Sequence, residues 1–320
     1  MLHQAADART VRVPRQFSAP SGGLPDPAPP FLRGTFMKVA IMICLLDRQI
    51  NSAESWTCPK LMSSDNLLDR TPGIHTPQLT SNMSNPKPAI VFDKEMAARY
   101  DKSSAKFAQI REGIFLLIRT ILSNLPVNAR ILCVGVGTGS ELLDLAQAFP
   151  QWQFTAVEPS APMLDICRQR VAENGITSRC TFHEGYLDSL PPADSFDAAT
   201  CLFVSHFIMQ PEERSNLFHQ IALRLRPQGY LINADLAYDL SASDYPGILE
   251  IWLQMISPAE APAAEIDKMR QAYGTVVAVL PPAVVASIIA AGGFDAPVLC
   301  FQSLMMHAWY TRRTSILQVN

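Results

Sequence analysis

The segment ILCVGVGTGS, residues 131–140, gives the first strong indication of how the chain is organised. Its apolar start is typical of a buried strand, and the three glycines that follow, Gly135, Gly137 and Gly139, predict a tight turn that opens a helix. Glycine lets a ligand approach the backbone closely, and the helix N-terminus offers N–H donors with a partial positive charge. The segment therefore predicts a strand, a turn and a helix with a ligand bound at the turn.

The spacing of the glycines narrows the choice of ligand. A dinucleotide fingerprint has glycine at the first, third and sixth positions. Here Ser140 is sixth and Gly139 comes one place early, which disfavours a pyrophosphate. Glu158 follows Gly139 by nineteen residues and ends the next predicted strand, where a carboxylate can accept both hydroxyls of a ribose. The alternative role for Glu158 is to cap the helix that begins near Ser160.

Strand-like and helix-like segments alternate outward from this unit. Predicted strands cover 131–134, 154–157, 180–183, 198–204 and 230–234, and predicted helices cover 141–149, 163–174 and 212–225. A helical insertion at 241–276 and a helix at 281–291 precede two strands, 297–301 and 305–311, whose short connection requires them to be antiparallel. We therefore expect an α/β fold: a Rossmann-like seven-stranded sheet with helices on both faces and a C-terminal antiparallel hairpin.

The first 84 residues differ in composition from the rest. Eleven of the 25 prolines lie before residue 89. We expect residues 1–84 to be a disordered, proline-rich extension, with a natural start at Met83 as the other explanation. Helices are predicted at 94–100 and 105–125, so residues 85–320 are expected to form the ligand-binding domain.

Composition narrows the functional classes. The net charge of -3 and the pI near 6.1 disfavour a nucleic-acid partner. The seven cysteines form no C-x-x-C pair and predict free thiols in a reducing cytoplasm without a metal site. No stretch reaches the roughly 18–20 apolar residues that cross a bilayer, so we expect no membrane partner.

Further motifs accompany the glycine turn in a fixed order: EPSAPM at 158–163, FD at 196–197, LRPQG at 225–229 and the closing hairpin. With this order and spacing, residues 90–312 resemble the class I S-adenosylmethionine-dependent methyltransferases. The resemblance implies S-adenosyl-L-methionine as the cofactor and methyl transfer as the activity.

The resemblance also implies roles by position. The three glycines would line the methionine portion of the cofactor, Glu158 would hold the ribose, and residues 184–187 would border the adenine. Residues 204–206 would face the sulfonium and the acceptor, and an N-terminal tyrosine would cover the cofactor. The implied cofactor-binding residues are Tyr100, Gly135, Gly137, Gly139, Glu158, Pro159, Tyr186, Leu187 and Val204.

The chain departs from the family pattern at two positions. Cys133 stands where an aspartate is common, and Tyr186 stands where an aspartate often binds the adenine amino group, so adenine would depend on stacking and backbone contacts. The insertion, GGF at 292–294 and FQ at 301–302 also resemble the carboxy-S-adenosylmethionine synthase group. That resemblance implies that Arg270 binds an extra carboxylate of the cofactor. The alternative is that Arg270 is a solvated helix residue, and the glycine turn differs from that group's pattern.

Methyl transfer from a sulfonium is an in-line displacement that needs alignment more than a strong base. His206 is the best candidate base and Asp235 the second, although a structural role fits either residue. The predicted function is methylation of a small molecule. Two alternatives are a carboxy-S-adenosylmethionine synthase-like enzyme of tRNA wobble-uridine modification and a non-catalytic protein that binds the cofactor. Residues 85–125 and 241–276 are expected to select the acceptor, and a homodimer is left open.

Overall fold

The computed structural model describes Ala97 and residues 107–257 and 261–315. The predicted extension at 1–84, the predicted start of the domain at 85 and Tyr100 lie outside these residues. So does the predicted helix at 94–100, apart from Ala97.

The described residues form helices and strands close to the predicted bounds. The strands are β1 (Arg130–Val134), β2 (Gln153–Glu158), β3 (Cys180–Glu184), β4 (Phe196–Leu202), β5 (Leu225–Leu236), β6 (Val298–Ser303) and β7 (Met306–Arg312). The helices are α1 (Ala108–Leu122), α2 (Ser140–Ala148), α3 (Ala161–Glu173), α4 (Pro211–Arg224), α5 (Tyr245–Ile256), α6 (Ala263–Ala272) and α7 (Pro282–Ala291). In this part of the chain, no helix is long and apolar enough to cross a membrane.

All seven strands belong to one sheet with the order β3-β2-β1-β4-β5-β7-β6. The strands from β1 to β5 pair in parallel, whereas β7 runs antiparallel to both β5 and β6. The predicted Rossmann-like sheet with a terminal antiparallel hairpin is therefore confirmed. The chain moves outward from β1 to β3 and then returns to the other side of β1 as β4. In such sheets, ligands bind outside the carboxyl ends of the strands at this reversal.

The sheet separates two apolar cores because successive side chains of a strand point to opposite faces. Ile131 and Cys133 contribute to one core, which α1, α2, α3, α5 and α6 cover. Leu132 and Val134 contribute to the other, which α4 and α7 cover. Burial on both faces explains why β1 is a continuous apolar run.

The structure extends one predicted strand. The strand predicted at 230–234 begins already at Leu225, because Leu225 pairs with Phe196 before an irregularity in the register. The intervening Gln228 has a positive φ of 61°, so the LRPQG motif forms an irregular start of β5. The insertion predicted at 241–276 contains the two helices α5 and α6.

Candidate functional site

The glycine turn lies at the carboxyl end of β1, beside the sheet reversal. Gly135, Gly137 and Gly139 all have positive φ values, of 63°, 59° and 85°. A side chain at the first or the last of these positions would also collide with a neighbour. A Cβ on Gly135 would lie 2.5 Å from Cγ2 of Val204, and one on Gly139 would lie 2.6 Å from Sγ of Cys167. Both conformation and close approach therefore require glycine here.

Backbone hydrogen bonds connect this turn to the neighbouring elements. The N–H of Val136 donates to the carbonyl of Val157 on β2 at 3.1 Å. The N–H of Gly139 donates to the carbonyl of Val136, and the carbonyl of Gly139 accepts from the N–H of Leu143 in α2. The turn is thus fixed to β2 on one side and opens α2 on the other.

Glu158 ends β2, and its carboxylate faces the glycine turn. The N–H of Gly137 donates to Oε2 at 2.9 Å, and the N–H of Ser160 donates to Oε1 at 3.1 Å. A carboxylate has about four acceptor positions, so about two remain for a ligand. Because Glu158 is only 5% exposed, a ligand bound there would be shielded from water. The predicted helix cap is supplied by another residue, since Ser160 Oγ accepts from the N–H of Met163.

The predicted adenine side lies next to this carboxylate. Glu158 and Glu184 are register partners on β2 and β3, so the residues after the two strands meet at one edge. Tyr186 is half-buried there, Leu187 is buried and Pro159 is exposed. Partial burial raises the pKa of Tyr186, and the negative charge of Glu158 raises it further, which places the phenol near that carboxylate.

His206 and Asp235, the two predicted bases, belong to one fully buried network at the carboxyl ends of β4 and β5. Asp235 Oδ1 lies 2.9 Å from Nδ1 of His206 and also accepts from the N–H of His206. Asp235 Oδ2 accepts from Ser205 Oγ, from Arg214 Nη2 at 2.9 Å and from Asn233 Nδ2 at 2.8 Å. Burial by itself would raise the pKa of Asp235, but Arg214, His206 and Asn233 hold it well below its usual range. Asp235 is therefore a stable anion.

Arg214 is a member of this network that was not predicted from the sequence. Its Nε donates to Ser205 Oγ at 2.7 Å and its Nη1 donates to the carbonyl of Ala278 at 3.2 Å. The N–H of Ala278 in turn donates to the carbonyl of His206 at 2.8 Å. A sequence signal was present, because Arg214 shares the buried face of α4 with Phe218 and Ile221 at helical spacing.

Of the remaining predicted residues, Val204 follows β4 and Arg270 lies on a helix of the insertion. Val204 is half-buried and packs over Gly135, so it joins the glycine turn to the end of β4. Arg270 lies on α6, its side chain 40% exposed. Its Nη2 is 2.9 Å from Oε2 of Glu250, and its Nε is 3.9 Å from Oδ1 of Asp267. The guanidinium is therefore already paired with two exposed carboxylates.

Cys133, the position where the family commonly has an aspartate, carries a fully buried thiol. Burial raises the pKa of Cys133 well above its usual range, and the negative charge of Glu141 adds to the effect. A neutral thiol thus lies beneath the glycine turn. Cys167 and Cys201 are also buried, whereas Cys300 is half-buried.

Comparison with known proteins finds a methyltransferase-domain match and several more distant similarities. Residues 131–229 match a family described as a methyltransferase domain. A carboxy-S-adenosyl-L-methionine synthase of Campylobacter jejuni is 26% identical over 198 residues, which are 60% of this chain and 81% of that protein. A demethylmenaquinone methyltransferase of Deinococcus radiodurans is 37% identical over 75 residues, 23% of this chain and 30% of that protein. The solved magnesium protoporphyrin IX methyltransferase of Synechocystis is 18% identical with a TM-score of 0.46, covering 66% of this chain and 84% of that one.

The family match spans the part of the fold that holds most of the predicted cofactor residues, from β1 to the beginning of β5. These residues also fit S-adenosylmethionine on physical grounds. The glycine turn keeps its backbone open to close approach, and the buried carboxylate of Glu158 retains acceptor positions for two hydroxyls. Residues 131–229 therefore match a methyltransferase domain, and the residues of the site fit S-adenosyl-L-methionine as the cofactor.

Proposed function

We propose that this enzyme methylates a small molecule by in-line displacement, with the cofactor along the carboxyl ends of β1, β2 and β3. The observation that carries this proposal is the buried carboxylate of Glu158, which faces the glycine turn with acceptor positions to spare. When bound, S-adenosylmethionine supplies an activated methyl group on a sulfonium. The protein's part is then to hold the acceptor nucleophile about 3 Å from that methyl group and in line with it.

The glycine turn and Glu158 hold the cofactor in this proposal. Gly135, Gly137 and Gly139 line the methionine portion, and Glu158 accepts from the ribose hydroxyls. The adenine is bordered by residues that follow the ends of β2 and β3, namely Pro159, Tyr186 and Leu187. Val204 separates the turn from the acceptor side, since it packs directly on Gly135.

We assign positioning roles to His206 and Asp235. Both side chains are completely buried, and Asp235 binds Ser205, His206, Arg214 and Asn233. Deprotonating an acceptor requires the base to reach it within hydrogen-bonding distance. The two residues instead fix the backbone after β4, where the acceptor would lie. Catalysis then rests on alignment, and the acceptor brings a nucleophile that needs no strong base.

A carboxy-S-adenosylmethionine synthase-like activity is the second candidate, because the Campylobacter relatives carry that name. That activity would assign the extra carboxylate of the cofactor to Arg270. Arg270 is engaged with Glu250 and Asp267 on the surface, so a carboxylate ligand would have to displace both. We therefore favour methyl transfer with unmodified S-adenosylmethionine. We place the enzyme in the cytoplasm, since the five described cysteines are all free thiols.

Identifying the cofactor that stays bound through purification distinguishes these two activities. Denaturing the protein should release S-adenosylmethionine or its demethylated product, S-adenosylhomocysteine, which liquid chromatography with mass spectrometry identifies. A carboxylated cofactor would instead support the second candidate. The control is Arg270→Ala, which should leave the affinity for S-adenosylhomocysteine unchanged by calorimetry. Binding of cofactor without turnover on any acceptor of a broad panel would favour a non-catalytic role.

A further inference from the structure

Helix α3 supports the glycine turn through two side chains. Arg170, in the last turn of α3, donates from Nη1 to the carbonyl of Thr138 at 3.3 Å and to its hydroxyl at 3.1 Å. Thr138 lies between the second and third glycines of the turn and is fully buried. One cationic group on α3 therefore binds both oxygens of the buried residue in the middle of the turn.

A second contact comes from the preceding turn of the same helix. Sγ of Cys167 lies 2.6 Å from the position that a Cβ on Gly139 would occupy. Burial raises the pKa of the Cys167 thiol well above its usual value, so the group is a neutral packing atom. Cys167 and Arg170 are three residues apart and share one side of α3, as helical spacing requires. The turn thus rests on α3 at Thr138 and Gly139, while Glu158 holds the N–H of Gly137 from β2.

The turn needs this support because of its composition. Glycine loses more backbone freedom on ordering than any other residue, so a turn with three glycines is costly to fix in one conformation. The residue before the end of β1 is Cys133, a neutral thiol, so no charged group at this position holds the turn. Groups that hold a binding loop in its bound conformation raise affinity by reducing the ordering cost of binding.

We propose that Arg170 is a positioning residue for the cofactor: it fixes Thr138 and thereby the part of the turn that faces the methionine portion. Arg170 acts through the turn, without touching the cofactor. The inference rests on the proposed assignment of the turn to the methionine portion. If this role is correct, replacing Arg170 should lower the affinity for ligands with an amino-acid portion far more than the affinity for ligands without one.

Two ligands separate this role from a general effect on stability. S-adenosylhomocysteine carries adenine, ribose and the amino-acid portion, whereas 5′-methylthioadenosine carries adenine and ribose alone. Isothermal titration calorimetry on Arg170→Met should show an affinity for S-adenosylhomocysteine about tenfold lower or more, because a hydrogen bond with a charged partner is lost. The affinity for 5′-methylthioadenosine should stay within about twofold. If Arg170→Met does not fold, Arg170→Lys should show the same selectivity with a smaller loss.

Arg168→Met is the matched control on the same helix. The side chain of Arg168 is 38% exposed and pairs with Asp165 at 2.8 Å and Glu184 at 3.5 Å, without a contact to Thr138 among its hydrogen bonds. This control should bind both ligands as the unchanged protein does. If the Arg170 variants lose affinity equally for both ligands, or for neither, the positioning role is overturned while the proposed function stands. An unchanged protein that fails to bind S-adenosylhomocysteine would overturn the proposed function together with this inference.

Discussion

Glu158→Gln isolates the charge of the carboxylate while keeping its size. In the structure, Glu158 accepts from the N–H groups of Gly137 and Ser160 and keeps about two acceptor positions, which the proposed function assigns to the ribose hydroxyls. Glutamine keeps a single acceptor oxygen, and its NH₂ group would face an N–H donor in place of the second. One ribose hydrogen bond is then lost and the other becomes a bond between neutral groups. Since a hydrogen bond to a charged group contributes about 1.5–3 kcal/mol, we expect an affinity about 10–150-fold lower.

Calorimetric titration with S-adenosylhomocysteine measures this loss without any knowledge of the acceptor. 5′-Methylthioadenosine should lose affinity by a similar factor in Glu158→Gln, because it retains the ribose. Glu173→Gln, at the exposed end of α3, is the matched control and should bind both ligands normally. Thermal denaturation of both variants checks that the fold is intact. Unchanged affinity in a folded Glu158→Gln protein would refute the assignment of the ribose to this residue.

Three further predictions concern the rest of the site. Asp235→Asn should lower the free energy of unfolding in urea by about 3–5 kcal/mol, because Arg214 stays buried without its charged partner; a loss below about 1 kcal/mol would contradict the role of the network. Burial alone would raise the pKa of Asp235, but its partners lower that pKa below its value in the unfolded chain. The ionised carboxylate therefore stabilises the folded state fully above about pH 4, and this stabilisation is lost as the pH falls further. Acid titration of the unfolding free energy should therefore be flatter in Asp235→Asn, and identical curves would argue against an ionised Asp235. Gly135→Ala should lower the free energy of unfolding by about 1–3 kcal/mol and weaken cofactor binding. Adding Val204→Ala should restore only part of that stability, because the positive φ at residue 135 remains. Full restoration would show that the contact with Val204 is the whole cause of the loss.

The arrangement of the glycine turn and Glu158 was predictable because its determinants are local in sequence. A buried strand, closely spaced glycines and an acidic residue at the end of the next strand define it within residues 131–158. Parallel strands then bring these segments to one edge without further information, since the register follows from the apolar pattern. The antiparallel hairpin was predictable for the same reason, because the short connection between its strands allows no other geometry.

The network around Asp235 was less predictable because its members are distant in sequence. The groups that bind Asp235 come from the end of β4, from α4 and from β5 itself, and they meet only when these elements have packed. From the sequence, His206 and Asp235 were interpretable as bases at strand ends, because nothing local shows that Arg214 will pair with Asp235. The helical spacing of Arg214 with Phe218 and Ile221 indicates a buried arginine but does not identify its partner.

The buried network also ties the end of the insertion to the backbone that follows β4. Ala278, just after the insertion, accepts from Arg214 and donates to the carbonyl of His206, so this part of the chain is fixed to the backbone that follows β4. An uncompensated buried charge is costly, which makes this attachment hard to break without destabilising the fold. If the proposed function holds, changes on α5 and α6 should alter which acceptor is bound, while the network keeps the backbone after β4 in place relative to the glycine turn. The proposed function thus assigns specificity to the insertion and alignment to the network, as expected where a rigid scaffold carries variable binding segments.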